Sequence, residues 1–326
     1  MTAVGLLIGF VLATYRFAEP QQAKRMPRIG YVSATGSSSA PGPYFEALRQ
    51  GLRDLGHIDG KNIVIEFRGA EGKPTRIPGL IAELVQLKVD VLVSGNFPAA
   101  SAAKQATKTI PIVMVTNEDP VATKLIHSLA RPGGNITGIT TLQRELGGKR
   151  LELLTEAVPR ILRVGVLREA VSQTGAIGFK EYETAARALK IQLQSVEVRE
   201  PNPDFEGAFQ AAAKGRASGL ITITNPLVLR HTKRIAALAI RHQLPSMYEG
   251  SAWVEDGGLM SFSTDDRDVF RRVATYVDKI LKGIKPADLP VEQPTKFELV
   301  INLKTAKQIG VSIPPNVLAR ADKVIK

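Results

Sequence analysis

The sequence predicts an α/β fold made of two halves of similar design, each a parallel sheet whose strands are separated by helices. Three observations predict it. From Arg28 onward, short apolar, β-branched runs alternate with segments of helical spacing, the pattern of strands joined by crossover helices. Residues 110–142 (IPIVMVTNEDPVATKLIHSLARPGGNITGITTL) contain the unit in miniature. Ile110 to Val115 reads as a buried strand and Thr116-Asn117-Glu118-Asp119-Pro120 as a polar loop. Val121 to Ala130 reads as a helix stopped by Arg131-Pro132-Gly133-Gly134, and Asn135 to Thr141 as a second strand. The design then recurs. Arg28–Val32 (RIGYV) parallels Arg163–Leu167 (RVGVL), Asn96 answers to Asn225, and Pro111 to Pro245, at near-constant offsets of about 130 residues.

Taken in order, Arg28 to Val32 is the first strand. The apolar spacing of Tyr44 to Leu55 is helical, with Gly56 as its stop. Ile63 to Phe67 alternates as a strand, Arg76 to Leu87 is helical, Val89 to Ser94 is strand, and Pro98 to Thr107 is helix. In the second half, Leu146 to Val158 is helix, Val164 to Leu167 strand, Gly178 to Leu189 helix, and Leu193 to Val198 strand. Phe205 to Ala213 is helix, Leu220 to Thr224 strand, Val228 to His242 helix, and Leu244 to Tyr248 strand. Glu249 to Asp256 reads as a polar excursion before the Gly257-Gly258 turn and the strand Leu259–Ser263. Asp265 to Leu281 is helical and Phe297–Asn302 a last strand. No long linker separates the halves, so they should be interleaved.

At 326 residues and 44% hydrophobic content, the chain can fill two cores of ordinary size. It has no cysteine, which excludes disulfides, thiolate metal sites, cysteine nucleophiles and a lipid anchor on cysteine. The formal charge of +12 is scattered, without runs of five like charges or a recognition motif, so nucleic acid is not expected as a partner. Residues 3–13 are an apolar core too short to span a bilayer but suited to a secretory signal within a 1–27 leader. No basic residue precedes that core, and a buried or disordered N-terminal segment is the alternative reading.

Several ordered motifs carry a resemblance: PIVMVTNEDPV, SLARPGGNITGIT, LPSMYEGSAWVEDGGLMSF and LPVEQPTKFELVINLKTAKQIGVSIPP. From about Arg28 to its end, the chain resembles the ABC-transporter substrate-binding protein family that includes tryptophan-binding importer components. The resemblance implies a type I periplasmic binding protein: two Rossmann-like lobes, three crossover strands, and a ligand clamped between the lobes. On that template, 28–140 with 264–290 would form lobe 1, and 141–258 with 297–326 lobe 2. Crossovers would fall near 136–141, 259–263 and 291–302. It also implies a soluble, exported, periplasmic monomer without a cofactor, serving a permease in the inner membrane. A ligand-sensing domain of a regulator is the alternative on the same fold.

Catalysis finds little support. His57, His127, His231 and His242 stand alone, and no nucleophile elbow, phosphate loop or dinucleotide fingerprint occurs. The candidate binding residues lie instead at strand ends, where open parallel sheets receive ligands. Asn96, Phe97 and Ala99 surround a helix start whose backbone N–H groups would suit a carboxylate. Asn225 repeats that chemistry from the opposite half. Ser33, Thr35, Thr116 and Asn117 are the hydrogen-bonding set expected from the first half. Tyr248 could stack on a ligand and Glu249 receive an ammonium or hydroxyl, a solvated loop acid being the other reading. Arg168, where the family has a polar Asn-Pro type of loop, would favour an anion if it faces the cleft. Trp253 sits in the polar excursion, either packed there or lining the cleft. The expected ligand is a small, carboxylate-bearing, amino-acid-like solute.

Overall fold

A computed structural model describes residues 25–37, 39–141 and 145–326. Residues 3–13 therefore lie outside the described part. The first half runs β1 (Arg28–Ser33), α1 (Pro43–Asp54), β2 (Val64–Gly69), α2 (Ile77–Gln86), β3 (Val91–Ser94), α3 (Phe97–Ala106), β4 (Ile112–Thr116) and β5 (Ile136–Thr140). Its five strands are parallel, in the order β2-β1-β3-β4-β5. The chain continues with α4 (Gly147–Ala157), β6 (Arg163–Glu169), α5 (Gln173–Leu189), β7 (Gln192–Val198), α6 (Phe205–Lys214) and β8 (Gly219–Thr222). Then follow α7 (Pro226–Leu229), α8 (Thr232–Arg241), β9 (Ser246–Tyr248), α9 (Ser251–Glu255) and β10 (Met260–Thr264). The last elements are α10 (Asp266–Leu281), β11 (Phe297–Asn302), α11 (Leu303–Gln308), α12 (Pro315–Leu318) and β12 (Lys323–Ile325).

The second sheet has seven strands ordered β12-β11-β10-β9-β8-β6-β7, parallel except for the pair β10–β11. Numbered from its own start, each half has the order 2-1-3-4-5, with β11 and β12 added to the second. Arg28–Val32 and Arg163–Leu167, paired by sequence, are both first strands. The continuous apolar runs bury both faces. Ile29, Tyr31, Val91, Val93, Val113 and Val115 turn toward α1 and α10, while Leu92, Ile112 and Met114 turn toward α2 and α3. This two-residue alternation is hidden in a sequence where both faces are covered.

The helix α10 belongs to the first core although it follows the second sheet. Val269, Phe270, Val273 and Val277 pack with Leu48, Leu52 and Tyr31. Gly51 permits this approach: a Cβ there would stand 2.5 Å from the Arg271 carbonyl oxygen. Glu292 also returns to the first sheet, its N–H donating to Gly138 O (3.0 Å) and its carbonyl accepting from Thr140 N–H (2.9 Å). The chain thus passes between the sheets after β5, between β10 and α10, and between Glu292 and β11.

Three expectations are corrected. Val121 to Ala130 forms turns, not a helix. Asp119 Oδ1 takes the N–H groups of Val121 and Ala122 (2.8 and 3.1 Å), and Lys124 at φ 59° reverses the chain after one turn. The Val228–His242 helix is broken into α7 and α8 around Arg230 and His231. The excursion Glu249–Asp256 contains α9, which buries Trp253 against Tyr248, ring centroids 4.7 Å apart. Among the described residues no helix is long and apolar enough to cross a membrane.

Candidate functional site

In a doubly wound sheet of order 2-1-3-4-5, the switch point lies between the first and third strands. Here the ends of β1 and β3 supply Ser33 and Asn96, and across from them the end of β8 leads to Thr224 and Asn225. They share one cavity of about 140 Å³. The first half contributes Ser33, Thr35, Asn96, Phe97 and Asn117 of the expected set, and the second contributes Asn225. Residues not anticipated complete it: Tyr31, Tyr44 and Glu118 on one wall, Thr224, Pro226 and Leu229 on the other.

The two asparagines are matching helix caps that differ in what they leave over. Asn96 Oδ1 accepts the Ala99 N–H (2.9 Å), and Asn225 Oδ1 accepts the Val228 N–H (2.8 Å). Asn225 Nδ2 donates to Glu169 Oε2 (2.7 Å), whereas Asn96 Nδ2 is buried without a hydrogen-bond partner. A buried donor left unmade is costly, and Asn96 Nδ2 is such a donor on the cavity wall. Thr224 Oγ1 is buried and unpartnered in the same way.

The aromatic wall is fixed from behind. Tyr31 packs on Phe45 and Phe67 at 5.2 and 5.8 Å, and Tyr44 stacks on Phe270 at 5.0 Å. Burial pushes the Tyr31 hydroxyl well above its usual range. The charge of Asp266, and then burial, do the same for Tyr44, which donates to Asp266 Oδ2 at 3.1 Å. Asp266 itself is pushed up to about 6, mainly by burial, against the opposing effect of the Tyr44 bond. Glu118, buried on the cavity wall, places an acid near these rings.

The remaining expected residues are elsewhere. Ala99 is fully buried and its N–H is taken by the Asn96 cap; Pro98 has none to offer. The helix start therefore presents fewer open donors than its small residues suggest. Thr116 is buried, its hydroxyl accepting the Glu118 N–H (3.0 Å). Arg168 Nε donates to Ser195 Oγ (2.9 Å), Nη2 pairs with Glu197, and the guanidinium lies 5.6 Å over Phe179. Tyr248 is buried on Trp253 and does not border the cavity. Glu249 borders a void of about 10 Å³ beside Asn117 and Tyr182 and is not among the residues lining the cleft cavity. It accepts the Thr224 N–H (2.9 Å) and pairs with the fully buried Arg150 at 3.4 Å.

Position in sequence could have found Thr224, which adjoins Asn225, and Glu118, inside the polar loop. Nothing local singles out Tyr31, whose side chain reads as a strand's core residue. A larger cavity of about 460 Å³ lies along residues 292–298 and the start of α10. Within it Arg272 pairs with Glu292, Asp265 caps α10, and Asp322 accepts the Leu299 N–H (2.8 Å). The cleft cavity, at both switch points, is the candidate site. Among the described residues no group of three His, Asp or Glu side chains is placed to hold a metal ion.

Two α/β halves of one strand order, facing each other across a cavity at their switch points, define a solute-binding protein of the type I periplasmic binding fold. Residues 42–325 match the family described as ABC transporter substrate binding protein, and the chain belongs to that family. Its members bind solutes and are not enzymes. The chain is 26% identical over 272 residues to a tyrosine-binding protein of Clostridioides difficile strain R20291, covering 80% of this chain and 74% of that one. Among solved structures it is similar to an ABC domain from Streptococcus pneumoniae in complex with L-Trp. That match has 24% identity and a TM-score of 0.80, covering 92% of this chain and 99% of the other. A ligand-free, open substrate-binding protein with adhesive properties from Clostridium difficile matches at 22% identity and a TM-score of 0.66, covering 92% and 99%.

Proposed function

We propose that the chain is the extracytoplasmic solute-binding component of an ABC importer. It binds a free amino acid, or a close relative bearing a carboxylate, in the cleft cavity by hinge closure, and presents the closed form to an inner-membrane permease. The observation that carries this reading is the cavity itself. Its walls come from both halves, so a ligand that fills it distinguishes the closed arrangement from the open one, which is what drives closure. Asn96 Nδ2 and Thr224 Oγ1 supply polar contacts from opposite walls, and Tyr31, Tyr44 and Phe97 line the cavity for an apolar or aromatic side chain. The nature of two relatives, one named for tyrosine and one complexed with L-Trp, favours an aromatic amino acid. The lobes would be 28–140 with 264–290 and 141–258 with 297–326, and the mature protein a soluble, exported monomer.

Mass spectrometry of small molecules retained through purification, followed by calorimetry with L-tyrosine and L-tryptophan, tests the ligand. Small-angle scattering tests the motion. Stripped protein should contract when the retained ligand is restored, and an unchanged radius at saturation would overturn the clamp.

A further inference from the structure

Gly72 and Arg230 meet across the mouth of the cleft. Gly72 follows β2 at φ +71°, and its N–H donates to the Ala34 carbonyl at 2.6 Å, tying it to a cavity-lining residue. Arg230 follows α7, one residue beyond Leu229, which lines the opposite wall. A Cβ on Gly72 would stand 2.0 Å from Arg230 Cδ and 2.3 Å from its Nε. Gly72 is buried although its neighbours Glu71 and Lys73 to Arg76 are exposed, because the arginine side chain lies over it. The guanidinium is anchored in its own half by pairing with Glu200. Its Nε is buried without a hydrogen-bond partner, so the reach across to Gly72 is made by packing of the apolar stem.

We infer that Gly72 and Arg230 form a latch: Arg230 closes the mouth by seating its stem on a position that must carry no side chain. The inference rests on the two-lobed clamp proposed above and adds what holds the clamp shut. Any side chain at 72 would occupy the space that Arg230 fills, so the Arg230 stem, held at its far end by Glu200, would have to leave its seat for the halves to meet in this way. The steric demand is specific to the pair, so shortening Arg230 should relieve it.

The chain has no cysteine, so spin labels on Ala82→Cys in α2 and Gln210→Cys in α6, both exposed, report the separation of the halves without background. Pulsed electron resonance would be read on the labelled chain as purified and after a saturating mixture of the twenty common amino acids. Wild type should show a short-distance population. Gly72→Asn should lose it; asparagine tolerates positive φ, so the test isolates the added side chain from backbone strain. The double variant Gly72→Asn with Arg230→Ala should regain it. A Gly72→Asn protein that keeps the short population overturns the latch. So does a double variant that stays open, since the fault would then lie in the loop and not in the contact. A wild type fixed at the long distance in every condition overturns the clamp itself, and the latch with it.

Discussion

Asn96 combines a structural task with a binding one, and the two can be separated by measurement. Its Oδ1 caps α3 while its Nδ2 stays unpaired in the cleft. Asn96→Asp keeps the capping acceptor and removes the donor, so stability should hold while affinity falls by about tenfold, for the loss of one hydrogen bond. Calorimetry with the retained ligand and a thermal scan check both; equal affinity would place the ligand elsewhere. Glu249 is the opposite case. It faces Arg150, whose side chain is fully buried, and holds the Thr224 N–H. Glu249→Ala should therefore destabilise the fold by about 3 kcal/mol, as expected when a buried ion pair loses one partner. Glu249→Gln should cost less because an acceptor remains. Denaturant unfolding reads this, and an unchanged midpoint would show that Arg150 is served by its other partners. The sequence shows Asn96 and Asn225 plainly, because an asparagine one or two residues before a proline at a strand's end signals a helix cap. It cannot show that Asn225 spends its amide on Glu169, or that Arg168 spends its guanidinium on Ser195 and Glu197, since those partners come from other strands.

At the scale of elements, strands and helices with one dominant period were legible, while segments whose apolar residues serve two neighbours were not. The Leu125 and Ile126 side chains are buried, yet their spacing reflects a turn pinned by Asp119 and not a helix face. Trp253 is buried through a five-residue helix too short to leave a periodic signal. The start of α10 carries a further consequence of burial. Asp266 is raised to about 6 in the folded protein, against about 3.9 for an unperturbed aspartate. The folded state therefore holds this proton more tightly than the unfolded one. Its contribution is present in full below pH of about 4 and is lost as the pH rises through about 6. Asp266→Asn should remove that part of the dependence and raise stability at pH 7 relative to wild type, by about 2 kcal/mol, since the neutral amide keeps an acceptor for the Tyr44 hydroxyl. Unfolding curves between pH 4 and 7 check it. A wild type that gains stability across that interval no less steeply than the variant would show Asp266 to be ionised throughout.

For the whole molecule, the decisive fact is that the first core is completed by a helix encoded after the second sheet. The repeated design of the two halves and the want of a linker suggested interleaving from the sequence, but only the packing shows what the late segment supplies. Val269, Phe270, Val273 and Val277 fill the space between α1 and the first sheet, each almost wholly buried. Burying such side chains is worth about 1.5–3 kcal/mol each, so the four together approach the 5–15 kcal/mol of stability typical of a whole domain. A fragment of residues 25–141 should thus fail to fold, although it contains all five strands of its sheet. It would also expose one face of β1, β3 and β4, with Ile29, Val93 and Val113 left uncovered. Joining 264–292 to the fragment through a short flexible linker should restore α10, together with the edge that Glu292 makes against β5. Circular dichroism and amide proton dispersion distinguish the outcomes. The contiguous fragment should show no cooperative thermal transition, and the joined one should show a single transition. Cooperative unfolding of 25–141 alone would mean that α10 packs on a core already sufficient without it.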